Sequence, residues 1–243
     1  GNAVGAVYCS GQGGDQGTRA LINNLYGGTF TDAAHTMYTA DSEENIKAIQ
    51  ALVDSDAITF DASIAGGDEI RLFRQGVLNV AFCWNIAQQL NADNNTAGLT
   101  NDGDEILFMA FPSENGTDTK LCGGIWGFGI FDNGDANKIA ASKLFIKYMA
   151  DSAEGTKDAV LSSTYFPVRD TVEGADLTGI YSDVQAMSDY GTLMQYLGDY
   201  YQVTPGWAEA RTAWWNMLQQ VGSGVDVETA VNEFVTTSNA AAK

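Results

Sequence analysis

Positive charge is scarce in this sequence. The 243 residues include only 12 lysines and arginines against 31 aspartates and glutamates, so the formal net charge is −19. Nucleic acids and anionic membranes are bound through clusters of positive charge. The composition therefore excludes a nucleic-acid-binding role and does not favour binding to an acidic membrane surface.

Long hydrophobic runs and prolines are also lacking. Hydrophobic residues make up 45% of the chain, yet no stretch approaches the roughly 18 consecutive apolar residues of a membrane span. The 3 prolines form no Pro-rich linker that would mark a domain boundary. The length is sufficient for one large domain or two modest ones with a substantial core.

Cysteine and histidine are too sparse for a metal site or a disulfide framework. The three cysteines, Cys9, Cys83 and Cys122, form no C-x-x-C pair, and at most one disulfide is possible. The one histidine, His35, lies in a polar loop without a visible nucleophile constellation. We therefore predict structural buried thiols, no metal and no cofactor.

Helical and strand-like segments alternate along the chain, which predicts an α/β architecture. The expected strands cover residues 77–82 and 106–111. The expected helices cover residues 15–26, 41–54 and 69–75, a short helix from Asn85, a long helix opened by Asp135, further helix to about Leu197, and helices that follow Trp207 and Asp226.

The segment from Glu69 to Asn85 predicts a helix ended by Gly76, a buried strand, and then Trp84 where that strand stops. Open α/β sheets place ligand contacts at the carboxyl ends of their strands. Trp84 and Asn85 are therefore candidates for ligand contact, although a tryptophan at this position also fits simple core packing.

Two further tryptophans adjoin glycines. Trp126 lies in a run where bulky residues alternate with glycines, including Gly124, and Trp207 follows Pro205-Gly206 at a predicted helix start. Glycine lets another group approach the backbone closely. Tryptophan supplies a large apolar surface while its indole N–H still donates. We predict ligand contact at Trp126 and Trp207.

Arg211 lies one helical turn after Trp207, where its guanidinium can either donate hydrogen bonds to a ligand or pair with Glu209. We favour the ligand role. Trp214 and Trp215 lie inside the same predicted helix, and core packing is the better interpretation for at least one of them.

Three other patterns point to chemistry that we do not predict. The loop Ser10–Gln16 superficially resembles a phosphate cradle, but Gln16 stands where a third glycine is needed. The adjacent pairs Asp68/Glu69 and Asp104/Glu105 are poor evidence for two glycosidase carboxyls facing each other across a bond. The four residues from Asp132 to Asp135 fit a turn and a helix cap and lack the glutamate of a calcium loop.

Taken in order, these segments resemble the extracellular solute-binding proteins of sugar-importing ABC transporters, in the class that includes the maltodextrin-binding proteins. The resemblance covers essentially the whole chain and depends on the order and spacing of several motifs. These are Asn24–Gly28, Asp41–Ala48, Leu72–Gly76 with the following strand and Trp84, Phe111-Pro112, Cys122–Trp126, Ala140–Met149, Tyr165–Arg169 and Trp207–Gly224.

The resemblance implies a type II periplasmic-binding-protein-like fold, in which two α/β lobes are joined by a hinge and hold a sugar in the cleft between them. Residues 1–125 and 203–243 would form the carboxyl-terminal lobe. Residues 127–200 would be an excursion that normally packs on the amino-terminal lobe, most of which would be absent. The apolar stripe Ile139, Leu144, Ile146 and Met149 of this excursion would then be uncovered. We therefore expect the chain to self-associate, to exchange segments between copies, or to hold residues 127–200 in a rearranged packing.

The resemblance also implies capture of a sugar or oligosaccharide outside the cell and its delivery to a membrane permease, without covalent chemistry. The full-length protein would be a cell-surface lipoprotein or periplasmic. The alternative is a carbohydrate-active enzyme domain, a glycoside hydrolase or lyase. In the resembling family the first loop lines the cleft, which makes Gln12, Asp15 and Gln16 candidates for binding hydroxyls, although Asp15 equally fits a helix cap. The predicted ligand-binding set is Gln12, Asp15, Gln16, Trp84, Asn85, Gly124, Trp126, Trp207 and Arg211.

Overall fold

The chain divides into two compact units. The first combines residues 1–84, 99–123 and 193–243, and the second combines residues 85–98 and 124–192. How these units correspond to the lobes expected above stays a prediction. The structure, a computed structural model, describes residues 4–9, 15–82, 99–116, 119–125, 127–199 and 201–243.

Helices and short strands alternate, which confirms the predicted α/β class. Two short 3-10 turns cover Thr192–Tyr196 and Tyr201–Val203. In chain order the elements are β1 (Gly5–Tyr8), α1 (Asp15–Tyr26), α2 (Glu43–Val53), β2 (Ile58–Asp61), α3 (Gly66–Arg74), β3 (Leu121–Cys122), α4 (Ala136–Asp151), α5 (Ala153–Ser163), β4 (Thr171–Val172), β5 (Ala175–Asp176), α6 (Gln185–Gly191), β6 (Leu197–Asp199), α7 (Trp207–Gly222) and α8 (Val227–Ala241).

Strand pairing in the first unit is parallel. β1 pairs with β2 in the register Gly5 to Ile58 and Tyr8 to Asp61, and the crossover between them contains α1 and α2. β3 pairs with β6, so two segments that are distant in sequence lie side by side. The carboxyl ends of β1 and β2 consequently share one edge.

Aromatic rings fill the centre of the first unit. Phe30 contacts Tyr38, Tyr201 and Trp214 edge-on, with ring centroids 5.3 to 5.6 Å apart, and Trp214 in turn contacts Phe234 of α8 at 5.3 Å. Edge-to-face geometry of this kind adds to the free energy gained from burial alone. Trp214 is only 1% exposed, which confirms that at least one tryptophan inside α7 belongs to the core.

The predicted end of α1 is confirmed, and α2 and α8 begin at capping side chains within two residues of the expected starts. α1 stops at Tyr26, where Gly27 adopts a φ of 79°. Ser42 caps α2 by accepting a hydrogen bond from the Asn45 amide, and Asp226 caps α8. Short polar side chains at these positions satisfy amide donors that have no partner within the helix.

The region around α3 differs from the expectation. α3 begins at Gly66 rather than at residue 69, because the Asp68 carboxylate accepts from the Ala65 amide and supports an earlier start. Residues 77–82 form no strand, and their Val80 amide donates to the Val4 carbonyl at 2.6 Å. Residues 106–111 form no strand either. The short helix predicted from Asn85 lies outside the described residues.

In the second unit, the long predicted helix is confirmed as α4, and Asp135 caps it by accepting from the amides of Asn137 and Lys138. Further helix was expected to continue to about Leu197, which is wrong in part. The hairpin of β4 and β5 interrupts it, and the turn contains Glu173 and Gly174 with φ values of 47° and 83°.

The apolar stripe expected on α4 is unevenly exposed. Ile139, Ile146 and Met149 are partly buried, whereas Leu144 is 71% exposed. At about 100° per residue, Leu144 lies roughly 140° around the helix from Ile139. Leu144 shares its exposure with Phe145 and Tyr148, and no residue of α4 is fully buried. Within the described residues, no helix is long and apolar enough to cross a membrane.

Candidate functional site

The candidate site begins at the amino-terminal end of α7, where Trp207 is the first helical residue and is 37% exposed. Gly206 caps the helix with a φ of 69°. A Cβ atom at this position would lie 2.8 Å from the backbone of Ala241 at the end of α8. The glycine therefore permits both the turn and the close approach that together place Trp207 at the surface.

An arginine lies between two indoles along α7. The Arg211 Cζ atom is 5.3 Å from the centroid of the Trp207 ring and 5.4 Å from that of Trp215. Residues four apart share one helix face, so this arrangement follows from the sequence spacing. The guanidinium is attracted to the faces of both rings, which restrains the arginine side chain. The N–H groups of the guanidinium lie in the plane of that group.

Two hydrogen bonds bring α7 alongside the predicted polar loop. The Gln219 side-chain amide donates to the Cys9 carbonyl at 2.6 Å, directly after β1. The Trp214 indole nitrogen lies 3.5 Å from the Thr18 hydroxyl in α1. The helix that carries Trp207 and Arg211 therefore packs against both ends of the segment that joins β1 to α1.

The predicted polar residues of that segment are only partly described. Asp15 and Gln16 form the beginning of α1, but their side chains are outside the described part of the structure, as is all of Gln12. Trp84, Asn85 and Trp126 also lie outside the described residues. Their roles in ligand binding stay predictions.

Gly124 belongs to the second unit and is exposed. A Cβ atom at Gly124 would meet no other atom within 4 Å, and the same holds at Gly127 and Gly129. Packing within the protein therefore does not explain the alternation of glycines with bulky residues. Ligand contact at Gly124 stays a prediction.

The pair Asp68/Glu69 has a structural role. Asp68 supports the start of α3, and the fully buried Glu69 accepts a hydrogen bond from the Phe82 amide at 2.7 Å. Asp132 and Asn133 accept from the amides two residues further on, which confirms a turn leading into the α4 cap. No cluster of three metal-binding side chains occurs among the residues that the structure describes.

An open groove of about 380 Å³ lies in the second unit between the segment before α4 and α4 itself. A sugar site needs several convergent polar groups within an enclosing pocket. This lining offers a single hydroxyl, so it does not fit a sugar. The lining residues are Phe128, Gly129, Ala141, Ser142, Phe145 and Ile146.

The sequence matches no family model, and no curated protein matches it. In three dimensions the chain is similar to the maltose/maltodextrin-binding domain MalE from Bdellovibrio bacteriovorus bound to maltotriose, with a TM-score of 0.69 and 16% sequence identity. The chain has the fold of a periplasmic binding protein. The likeness covers 98% of this chain and 60% of the MalE chain, so this chain spans about three fifths of that protein. The predicted fold class is thereby confirmed.

Proposed function

We propose that this protein binds a sugar or oligosaccharide and releases it chemically unchanged. The observation that carries the proposal is the partly exposed Trp207 with the Arg211 guanidinium held against its ring, in a chain that has the fold of a maltotriose-bound protein. A pyranose presents a face of C–H groups ringed by hydroxyls. An indole face complements the first, and guanidinium N–H groups donate to the second.

The polar loop before α1 completes the proposed site. Gln12, Asp15 and Gln16 offer amide and carboxylate groups of the kind that exchange hydrogen bonds with hydroxyls. α7 carries Trp207 and also the residues that contact either side of this loop, Trp214 at Thr18 and Gln219 at Cys9, which start about 10 and 18 Å further along the helix axis. Trp84, Asn85, Gly124 and Trp126 extend the proposed contact set.

The proposed physiological role is capture of the sugar outside the cytoplasm and delivery to the permease of an ABC importer. The likeness to MalE supports a solute-binding protein. We propose that the full-length protein is a cell-surface lipoprotein or is periplasmic. We propose no cofactor for it.

Calorimetric titration with maltotriose and a panel of neutral oligosaccharides tests the proposal, with thermal unfolding as a second readout. A ligand that binds only the folded state stabilises it by about 2.7 kcal/mol at a concentration of 100 times Kd. We expect a saturable heat signal and a matching increase in Tm for at least one sugar. The absence of both across the panel would overturn the proposal, and new reducing ends after long incubation would indicate an enzyme instead.

A further inference from the structure

Asn24, near the end of α1, binds the backbone of the segment that leads into β3. Its side-chain amide donates to the Lys120 carbonyl at 2.7 Å, and its side-chain oxygen accepts from the Lys120 amide at 2.7 Å. The same amide also donates to the Ala20 carbonyl at 2.7 Å. Asn24 is 6% exposed. Its side chain offers the Lys120 backbone one donor and one acceptor, as the backbone of a neighbouring strand would.

Arg19, one turn earlier on α1, packs against the segment that follows β6. Its Cζ atom lies 3.6 Å from the centroid of the Tyr201 ring, and both residues are buried. The Phe30 ring lies 4.9 Å from the same guanidinium. A planar guanidinium stacked on a ring restrains both partners, which a lysine ammonium cannot reproduce.

The two segments held by α1 are at two of the four places where the chain passes between the compact units. The chain leaves the first unit after Gly123, directly beyond β3, and returns at Leu193, shortly before β6. β3 and β6 pair with each other, and the Gln202 side-chain nitrogen lies 3.8 Å from the Cys122 sulfur. α1 therefore touches both connections, while its first turn carries Asp15 and Gln16.

We infer that Arg19 and Asn24 are positioning residues that hold α1, whose first turn carries Asp15 and Gln16, against the two connecting segments at β3 and β6. Neither residue needs to touch ligand in this role. The inference deepens the proposed function, because it makes the start of α1 and the two connections respond as one rigid body when a ligand binds. Loss of either contact uncouples the start of α1 from the connections while the core of the first unit remains folded.

Asn24→Ala is the test variant, and Asn45→Ala is its matched control. Asn45 is also buried and also fixes a backbone segment, since its amide donates to the carbonyls of Thr29 and Ala40, but that segment leads to neither connection. Amide hydrogen exchange is measured by mass spectrometry on the 243-residue chain without ligand. Global stability of both variants is measured alongside by urea unfolding.

We expect exchange in β3 and β6 to be about tenfold faster in Asn24→Ala than in Asn45→Ala at comparable global stability, because two hydrogen bonds to Lys120 are lost. Arg19→Lys should accelerate exchange around Tyr201 in the same way. Equal exchange patterns in Asn24→Ala and Asn45→Ala would overturn the inference.

Maltotriose binding kinetics provide the second arm. If the unmodified chain binds maltotriose, Asn24→Ala should dissociate about tenfold faster, while Asn45→Ala should leave the rate unchanged; equal rates for the two variants would overturn the inference. If no sugar binds the unmodified chain, the proposed function fails, and the exchange measurements alone decide whether Arg19 and Asn24 couple α1 to the connections.

Discussion

At the residue scale, neighbouring tryptophans on one helix have different roles. Trp214 points into the aromatic core, whereas Trp215, the next residue along α7, packs on Arg211 with Trp207 at the other side of the guanidinium. Consecutive helical residues point about 100° apart, so α7 contributes both to the core and to the candidate site. Substitution of these residues should separate binding from stability.

Trp207→Ala should weaken binding of the sugar ligand by about 2 kcal/mol, roughly 30-fold, with little change in stability, because the residue is partly exposed. Trp214→Ala should instead lower the free energy of unfolding by about 3 to 5 kcal/mol, since it leaves a large cavity among packed rings. Calorimetry and urea unfolding measure the two effects. Unchanged affinity with a collapsed Tm in Trp207→Ala would assign Trp207 to the core.

Cys9 should be inert in the folded protein. Burial raises the pKa of its thiol to about 12, and the nearby Asp61 carboxylate acts in the same direction. Iodoacetamide at pH 8 should therefore leave Cys9 unlabelled until the chain is unfolded, as mass spectrometry of the peptides would show. Rapid labelling of native Cys9 would contradict its burial.

The same raised pKa predicts a dependence of stability on pH. The unfolded thiol loses its proton near pH 9, whereas the folded thiol keeps it to about pH 12, so the stabilisation is complete below pH 9 and declines as the pH rises between these values. The slope should approach about 1.4 kcal/mol per pH unit. Comparison with Cys9→Ala isolates this contribution, because Tyr38, whose pKa burial also raises to about 12, titrates in both proteins.

The side-chain contacts that can be predicted from the sequence are those between residues at a fixed spacing on one helix. Arg211 follows Trp207 by one turn, and this spacing alone brings the two side chains together. By contrast, the pairing of Asn24 with Lys120 joins residues 96 positions apart. No local pattern predicts such a contact, because it depends on how α1 and β3 meet in the folded unit.

At the scale of secondary structure elements, caps were predictable and strand partners were not. A capping residue and its helix are adjacent in sequence, as at Ser42 and Asp226. A strand needs a partner from elsewhere, and the apolar run at 77–82 has the Glu69 carboxylate as an acceptor for its Phe82 amide. The Glu69 carboxylate takes the place of a backbone carbonyl from a partner strand at Phe82, and Val80 donates to the Val4 carbonyl just before β1. These bonds do not form a strand ladder, although the run is apolar and of strand length.

Asp226 should stabilise α8 through its charge-assisted hydrogen bonds. Its carboxylate accepts from the Thr229 amide and hydroxyl, each at 2.9 Å, and these bonds lower the pKa of Asp226. Asp226→Ala should reduce the free energy of unfolding at pH 7, whereas Asp226→Asn, which keeps an acceptor, should reduce it less. Urea unfolding measures both.

The pH dependence of this cap has the opposite sign to that of Cys9. Because folding lowers the pKa of Asp226 from 3.8, its contribution is present above about pH 4 and is lost as the pH falls through the folded value. The stability difference between the unmodified protein and Asp226→Asn should therefore shrink in acid. A difference that stays constant from pH 7 to acid would exclude the charge as its cause.

At the scale of the whole molecule, an apolar surface and a large negative charge oppose each other. In the second unit Ile125, Phe131 and Leu144 are 80%, 91% and 71% exposed, and Phe128 and Phe145, with ring centroids 6.1 Å apart, are each about half exposed. These five residues are here called the open face. Apolar patches of this kind favour association, while a net charge of −19 repels a second copy of the chain.

Self-association of the chain should therefore depend on salt. At low ionic strength charge repulsion should favour the 25.9 kDa monomer, and screening at 0.5 M NaCl, where the Debye length is below about 8 Å, should let the open face associate. Size-exclusion chromatography with light scattering measures the mass under both conditions. Phe131→Glu with Leu144→Glu should restore the monomer in high salt, whereas Val168→Glu, at another exposed apolar position of the same unit, should not.

The direction of the salt effect distinguishes apolar association from ionic contacts. Salt weakens attraction between opposite charges but strengthens the approach of two acidic chains through an apolar surface. Larger species at low salt than at high salt would thus assign the contact to ion pairs and exclude the open face. A 25.9 kDa monomer under both conditions would show that five exposed apolar side chains are too few to overcome the repulsion between two chains of charge −19.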